Sequence, residues 1–351
     1  MSKAVVPAFC APAMKKSTGM FCANCDMKVD LIMKTFKMVD YNQGDRVFAR
    51  EEFDRVALSD ADVQLLCVQH SQVYLPSNTE AAPIIASRIR KFLTEGQAAS
   101  LVRVGNAEGS ALRLTYDPIH PTHFKIFNDV FSSQNGCMIN EIEARAFCHK
   151  IRRALMSADI VGFRTIDSNV RGPELALILR HISNGNVEGA LGLIYARQFL
   201  QDMLSEGRLL DRILTSAWIH LALIPFLTEI MDAADRIIVI TGRPELGEAF
   251  AKRLGARLQS FITVPVEGFR PHDPTEPHYG DVCQSVINVL KQDLRGTLIL
   301  IGAGLFGKIY CHAAKISGAV AIDLGSTFDL LAGVTSRPAH SAFDIISSRW
   351  I

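Results

Sequence analysis

The sequence lacks an excess of charge of either sign, and it lacks long apolar runs. Its 37 Lys and Arg residues balance 36 Asp and Glu residues, so the formal net charge is +1. A chain without excess positive charge has no general attraction for nucleic acid or an anionic membrane surface. The longest apolar stretches, residues 221–227 and 298–306, fall short of the roughly 18 to 20 residues that span a bilayer. We therefore expect neither a nucleic-acid partner nor a transmembrane segment.

Cysteine is too scarce for a scaffold held together by disulfides. Eight cysteines are spread over 351 residues, and the short apolar stretch at the N-terminus is broken by Pro7, unlike a secretory signal. We therefore expect a cytoplasmic protein with reduced thiols. Cys22 and Cys25 have the spacing of half a zinc site. Because Cys10, Cys67 or His70 would have to complete that site, we favour free thiols.

The last third of the sequence alternates between apolar strands and helical patterns. This alternation is typical of a parallel sheet that is covered on both faces, and the right-handed crossover rule makes the sheet doubly wound. We therefore predict an α/β fold with a doubly wound, mainly parallel, Rossmann-like sheet. The strands are expected at residues 236–241, 261–266, 297–301 and 319–324, and the helices between them at 244–254, 279–294 and 305–316.

Earlier segments extend the same pattern. A helix is expected over residues 80–94, with its apolar side chains inward, and another from the capping residue Asn140 to residue 156. The expected inward side chains are Ile84, Ile85, Ile89, Phe92 and Leu93 on the first helix, and Ile142, Phe147, Ile151 and Leu155 on the second. We place the domain at residues 78–338, between an N-terminal extension (1–77, with short helices near 28–38 and 61–68) and a tail (339–351).

A glycine-rich turn follows the strand at 297–301. Gly302, Gly304 and Gly307 precede Lys308 at the start of a helix, and free backbone N–H groups at such a helix start suit a diphosphate. Asp323 ends the next strand about twenty residues later, where a ribose-binding acid would lie. Only one strand follows the turn, so a mononucleotide or a nucleotide-diphosphate sugar fits the topology better than a dinucleotide. A tight turn without a ligand is the alternative.

Ligands of an open parallel sheet bind beyond the carboxyl ends of its strands. The loops expected at those ends supply glycine N–H groups, lysine, arginine, histidine and carboxylates, which suit a bound anion with a metal or a general base. These loops are residues 105–108, 241–245, 267–279, 302–308 and 325–329. The loop containing His272, Glu276 and His278 contacts a metal or substrate in one interpretation. A stiff surface connection is the favoured alternative. We expect Trp218 and His220 to be core residues, and a substrate-stacking role for Trp218 is the alternative.

Five segments in one order resemble a known family. They are residues 100–108, 158–162, 218–220, 302–310 and 321–329. The order resembles the bacterial GT-D-fold glycosyltransferases and their GT-D-like relatives over roughly residues 78–338. In that family an Asp-x-Glu motif is associated with a divalent metal and a nucleotide-sugar donor. Glu108 matches the Glu, whereas Asn106 stands in place of the Asp, which removes one charge from a Mn²⁺ or Mg²⁺ site and retains an oxygen donor.

The resemblance implies a glycosyltransferase that moves a sugar from a nucleotide-diphosphate sugar to a glycan, protein or lipid acceptor. Glu108 and Asn106 would hold the metal, and Glu108, Asp323 and Asp329 are the candidate catalytic residues. Asp323 or Asp329 would contact donor hydroxyls or serve as general base. Arg103, Gly302, Gly304, Gly307, Lys308 and Ser326 would bind the donor and its departing diphosphate. Acceptor choice is expected to depend on residues 267–279 and on the N-terminal segment.

Two other functions are compatible with the sequence. An NAD(P)-dependent oxidoreductase is supported by Gly302, Gly304 and Gly307 together with Asp323. A GT-D-like domain that lost catalysis with its first acid, and that binds nucleotide sugars as a sensor or scaffold, is supported by Asn106. A methyltransferase is disfavoured because no acid precedes Gly302 in its strand. A homo-oligomer is left open by the sequence.

Overall fold

The computed structural model describes residues 41–56, 59–166, 174–265, 277–337 and His340, within a compact unit that begins at Tyr41. In this part of the chain eight strands form one sheet, and every described pair is parallel. The sheet order is β1-β4-β3-β2-β8-β7-β5-β6. The strands are β1 (Val73–Leu75), β2 (Ala99–Val104), β3 (Ile160–Phe163), β4 (Ile213–Ser216), β5 (Arg236–Thr241), β6 (Leu258–Thr263), β7 (Thr297–Gly302) and β8 (Val320–Asp323).

Helices connect these strands. They are α1 (Gln43–Val56), α2 (Asp60–His70), α3 (Asn78–Thr94), α4 (Asn106–Arg113), α5 (Pro121–Asn135), α6 (Glu141–Ser157), α7 (Glu174–Ser183), α8 (Val187–Ser205), α9 (Ile219–Ala222), α10 (Leu227–Asp232), α11 (Gly247–Leu254), α12 (Cys283–Val289), α13 (Gly304–Ile316) and α14 (Thr327–Leu331). No helix of the described residues is long and apolar enough to cross a membrane.

The sheet is covered on both faces. Alternate side chains of each strand enter opposite cores, so that Val102 of β2 lies in one core and Leu101 in the other. The first core lies under α4–α6, α8, α12 and α13, and the second under α3, α9–α11 and α14. Right-handed crossovers place a helix on one face or the other according to the direction of the next strand. The predicted doubly wound parallel fold is confirmed.

Two predicted core positions are wrong, and one strand and one helix have other boundaries than predicted. Ile84 is 49% exposed because it lies beside the face of α3 that Ile85 and Ile89 bury, and Ile142 is 82% exposed in the first turn of α6. That turn begins at the cap Asn140, whose side chain accepts from the N–H of Glu143, as the sequence predicted. The sixth strand starts three residues earlier than expected, and the helix expected at 279–294 is limited to α12.

Residues 41–77 contribute directly to the same compact unit. β1 pairs with β4, and Asp60 of α2 accepts from Arg197 Nη1 of α8 at 2.6 Å. The helix predicted near residues 61–68 is confirmed as α2, and its Cys67 is a buried free thiol. The expected helix near residues 28–38, with Cys10, Cys22 and Cys25, lies outside the described residues. The domain division at residue 77 stays a prediction.

Candidate functional site

The centre of the sheet forms a crevice at its carboxyl edge. β8 lies between β2 and β7, with Leu101 opposite Ile322 and Ile301 opposite Asp323. β2 and β7 continue into α4 and α13 on one face, whereas β8 continues into α14 on the other. Neighbouring strands whose connections diverge in this way leave an opening beyond their ends, which is where ligands of such sheets bind.

Four charged side chains meet below this opening, and we call them the central cluster: Arg103, Glu108, Lys308 and Asp323. Arg103 Nη2 lies 3.1 Å from Asp323 Oδ1, and Arg103 Nε donates to the Asp323 carbonyl at 3.1 Å. Lys308 Nζ lies 2.5 Å from Glu108 Oε1 and 3.1 Å from Asp323 Oδ2. Two cations therefore compensate two anions within the interior.

Burial and ion pairing act in opposite directions on the central cluster. Burial raises the pKa of Asp323, but Arg103 and Lys308 outweigh it, so the pKa is lowered from its usual value. Burial likewise lowers the pKa of Lys308, but Asp323 and Glu108 outweigh it, so this pKa is raised. Both groups are therefore charged at neutral pH. An ionised, compensated carboxylate with 1% exposure is a poor proton acceptor for a substrate.

Glu108 also determines how α4 begins. Its Oε2 accepts from the N–H of Gly105 at 2.8 Å, which caps the first turn of the helix. Both carboxylate oxygens thus have partners, because Oε1 faces Lys308. Asn106, the other predicted metal ligand, is exposed at the start of the same helix. Among the residues that the structure describes, no group of three or more His, Cys, Asp or Glu side chains could hold a metal ion.

The glycine turn leads directly into α13. A Cβ on Gly302 would lie 2.4 Å from Cδ2 of Phe328, and Gly304 has a φ of +52°, so both positions favour glycine. Gly307 has only ordinary contacts at its Cβ position. No side chain caps the N-terminus of α13, so its first N–H groups are available to an anion in the crevice. Lys308 Nζ donates to the Gly304 carbonyl at 3.2 Å, which ties the central cluster to the turn.

Two histidines extend this network around Ser326. Ser326 Oγ lies 3.0 Å from His340 Nε2 and 3.4 Å from His220 Nε2. His220 is fully buried, and its ring nitrogens lie 3.2 and 3.3 Å from Arg103 Nη1. Burial, and then the charge of Arg103, lowers the pKa of His220 well below its usual value. The sequence identified His220 as a core residue, which is confirmed. Its contact with Arg103 was missed because only the shared sheet edge signals it.

Asp329 lies in a separate ion pair. Arg243, in the loop after β5, places Nε and Nη2 each 2.7 Å from Asp329 Oδ1, and Ser336 Oγ donates to Oδ2. The Asp329 side chain is 19% exposed. The structure therefore brings Arg103, Glu108, Lys308 and Asp323 together but not Asp329 with them. Trp218 is half-buried and stacks on His220, with ring centroids 6.2 Å apart.

The loop predicted to contact a metal or an acceptor falls mostly outside the described residues, including Arg270, His272 and Glu276. His278, at its end, is buried, with its Nε2 2.7 Å from Tyr310 Oη and its ring stacked on Phe306. Phe306 and Tyr310 are core residues of α13. His278 therefore packs on the side of α13 that faces the core.

Comparison with known proteins identifies one family. A family model described as a GT-D fold-like domain matches residues 81–331. Two solved structures are similar at 14% identity. One is described as a selenomethionine-substituted domain of unknown function 1792 (79% of this chain, 87% of that chain, TM-score 0.40), and the other as showing that this domain has a distinct glycosyltransferase fold (78%, 86%, TM-score 0.38). No curated protein matches the sequence.

Proposed function

The chain belongs to the GT-D fold-like family, and from that premise we propose that it is a glycosyltransferase using a nucleotide-diphosphate sugar. One observation carries the proposal: the uncapped N-terminus of α13 directly follows β7 at the carboxyl edge of the sheet, and Lys308 ties its Gly304 carbonyl to the buried central cluster. Transfer of a sugar needs a rigid, water-poor place for a diphosphate that gains charge as it departs. The crevice supplies fixed backbone dipoles for that charge.

In the proposed complex, the diphosphate lies against the first N–H groups of α13, beside Gly302 and Gly304. Arg103 is the most exposed side chain of the central cluster, at 16%, and is the member placed to reach the donor. Lys308 is paired with two carboxylates and acts by holding Glu108 and Asp323 in position. The sequence predicted that Lys308 binds the diphosphate directly. We propose instead that Lys308 orients the glycine turn through its hydrogen bond to the Gly304 carbonyl.

The proposed reaction displaces the diphosphate from the anomeric carbon of the donor. The acceptor hydroxyl oxygen forms the new bond to that carbon, the electron pair of the broken bond leaves with the diphosphate, and a base takes the hydroxyl proton. Of the two predicted bases, Asp329 has the greater exposure, at 19% against 1% for Asp323. We assign Asp323 to positioning Arg103 and Lys308. Asp329 is the remaining candidate base, and it must leave its pair with Arg243 to take the proton.

The proposal contains no step through a divalent metal, because Glu108 and Asn106 do not fit one. The two oxygens of Glu108 face Lys308 and the N–H of Gly105, and Asn106 is exposed and offers a neutral amide in place of the first acid of the motif. Asp323 Oδ2 makes no hydrogen bond of good geometry, but it faces Lys308 Nζ at 3.1 Å. A divalent cation placed there would be repelled by the ammonium group.

The oxidoreductase alternative is weakened by the position of Asp323. A dinucleotide site needs this carboxylate to accept from a ribose hydroxyl. Here its Oδ1 accepts from Arg103, and its side chain is 1% exposed. The sensor or scaffold alternative uses the same crevice and is distinguished by turnover alone.

Calorimetric titration tests the proposal. The purified protein is titrated with UDP-, GDP- and dTDP-sugars, with and without MnCl₂, and with NADH and NADPH. We expect at least one nucleotide sugar to bind, and Arg103→Met to weaken that binding by about tenfold, the loss of one charge-assisted contact. Binding of NADH alone would overturn the transferase proposal. Nucleotide-sugar binding without turnover over a broad acceptor set would favour the scaffold function.

A further inference from the structure

We infer that the ammonium group of Lys308 occupies the position of the catalytic cation, so that this domain binds its donor without a divalent metal. The inference rests on the proposed function for the identity of the donor. The cation position itself rests only on the geometry of the central cluster. Lys308 projects from the second turn of α13 toward the side chains of Glu108 and Asp323.

The oxygen atoms around Lys308 Nζ are those that a hard cation prefers. They are Glu108 Oε1 at 2.5 Å, Asp323 Oδ2 at 3.1 Å and the Gly304 carbonyl at 3.2 Å. The ammonium group donates a hydrogen bond to the Gly304 carbonyl and forms ion pairs with the two carboxylate oxygens. Two carboxylates and a carbonyl would also form half of an octahedral magnesium or manganese site. The lysine therefore fills a pocket whose chemistry suits a cation.

Charge balance supports the same conclusion. Arg103 and Lys308 carry two positive charges, and Glu108 and Asp323 carry two negative charges, all within a side-chain exposure of 16% or less. Asn106 is neutral and exposed at the start of α4, so it adds no charge to this balance. The two buried carboxylates are therefore compensated by the two cations of the chain without a divalent ion.

The remaining need, neutralisation of the departing diphosphate, does not require a bound ion here. The N-terminus of α13 has no side-chain cap, and helix N-termini stabilise anions through their N–H groups and dipole. Arg103, held by Asp323 and His220, adds one fixed positive charge with a side-chain exposure of 16%. A bound metal would place a cation between the carboxylates and a positive potential at the diphosphate. Here residues of the chain itself provide both.

Manganese binding without any nucleotide tests the cation position. Wild-type protein, Lys308→Ala and Lys315→Ala are titrated with MnCl₂, following the melting temperature and the EPR signal of free Mn²⁺. Lys315 is the matched control, since it lies on the same helix and pairs with Asp159 at 2.7 Å. We expect MnCl₂ to raise the melting temperature of Lys308→Ala by about 3 °C or more and to shift the other two by less than about 1 °C. Adding Glu108→Gln to Lys308→Ala should abolish the gain.

If Lys308→Ala folds and binds no Mn²⁺, the inference is wrong. It is also wrong if wild-type protein binds Mn²⁺ and the Glu108→Gln substitution abolishes that binding. If Lys308→Ala does not fold, UDP binding by wild-type protein decides. An unchanged dissociation constant in EDTA supports the inference, and a tenfold loss restored by MnCl₂ contradicts it. Failure of UDP, GDP and dTDP alike to bind under either condition counts against the proposed function, whereas the manganese titrations still decide the cation position.

Discussion

At the residue scale, the central cluster combines deep burial with charge. A buried charge is costly unless it is paired, and breaking such a pair leaves the partner unpaired in the interior. Asp323 has two cationic partners, Arg103 through Oδ1 and Lys308 through Oδ2. Its loss should therefore be expensive and should depend on pH in a way that a surface aspartate does not share.

We expect Asp323→Asn to lower the free energy of unfolding by about 3–5 kcal/mol at pH 7. The folded-state pKa of Asp323 lies below its usual 3.8, so the carboxylate stabilises the fold above that pH and loses this effect as the pH falls through the folded-state value. The difference between wild type and variant should therefore shrink progressively below pH 3.8. Urea unfolding at several pH values measures it.

Asp293→Asn is the control for that experiment. Asp293 also has a lowered pKa, caused first by its hydrogen bonds from Arg295, but the pair is exposed on the surface. Solvent and salt screen such pairs, so little change is expected at any pH. Equal effects of the two substitutions would contradict the account of Asp323 as a buried, doubly paired carboxylate.

Gly325 is a second position where a substitution should disturb the central cluster, because an added Cβ atom would collide with Arg103. Its φ is +45°, and a Cβ there would lie 1.9 Å from Arg103 Nη2. Gly96 has a comparable φ of +64° with no atom within 4 Å of the Cβ position. We expect Gly96→Ala to cost about 1 kcal/mol for backbone strain, and Gly325→Ala to cost about 3 kcal/mol or more because it also displaces Arg103. Chemical unfolding of both variants checks this, and equal losses would show that Arg103 is not held as described.

At the scale of elements, the position of Glu108 depends on how α4 packs against α8. A Cβ on Gly109 would lie 1.7 Å from the carbonyl oxygen of Gly192, and one on Gly192 would lie 2.3 Å from that of Asn106. The two helices therefore meet backbone to backbone. Any added side chain at this contact must move α4, and Glu108 with it.

We expect Gly109→Ala to lower the melting temperature by several degrees and to weaken donor binding, since Glu108 leaves Lys308. Gly247→Ala in α11 is the control, because its Cβ would meet only Phe261 at an ordinary 3.5 Å. Alanine is the better helix former, so this control should be neutral or slightly stabilising. Differential scanning calorimetry with a donor titration measures both. If Gly109→Ala leaves the donor affinity unchanged, the packing of α4 does not control donor binding.

Elements with strong periodicity could be predicted from the sequence, and short or polar ones could not. The strand at Thr297–Gly302 and the helix at Gly304–Ile316 match their apolar patterns closely. β1 has three residues and is half exposed, so it shows no usable pattern before its pairing with β4 is known. α1 is polar on average, and its helical face is evident only from its packing on α8.

At the scale of the whole molecule, topology explains which site residues the sequence could identify. Arg103 and Asp323 are 220 residues apart, and only the insertion of β8 beside β2 brings them together. Four of the five loops predicted at the carboxyl edge follow strands of the sheet, because parallel strands end at one edge, and the fifth, residues 267–279, lies mostly outside the described residues. The ion-pair partners of these side chains could not be predicted from the sequence. Whether an aspartate pairs with Lys308 or with Arg243 depends on the order of the strands in the sheet.

Hydrogen exchange with a bound nucleotide sugar is the most direct test of the proposed site. Amide protection is measured by mass spectrometry with and without the tightest-binding donor from the titrations. We predict protection of residues 302–308 and 103–108 in the complex. Peptides spanning Arg90 and Glu229, which line a surface cavity near the amino ends of β2 and β5, should be unchanged. Protection at that cavity, or no protection at the glycine turn despite saturating donor, would contradict the account.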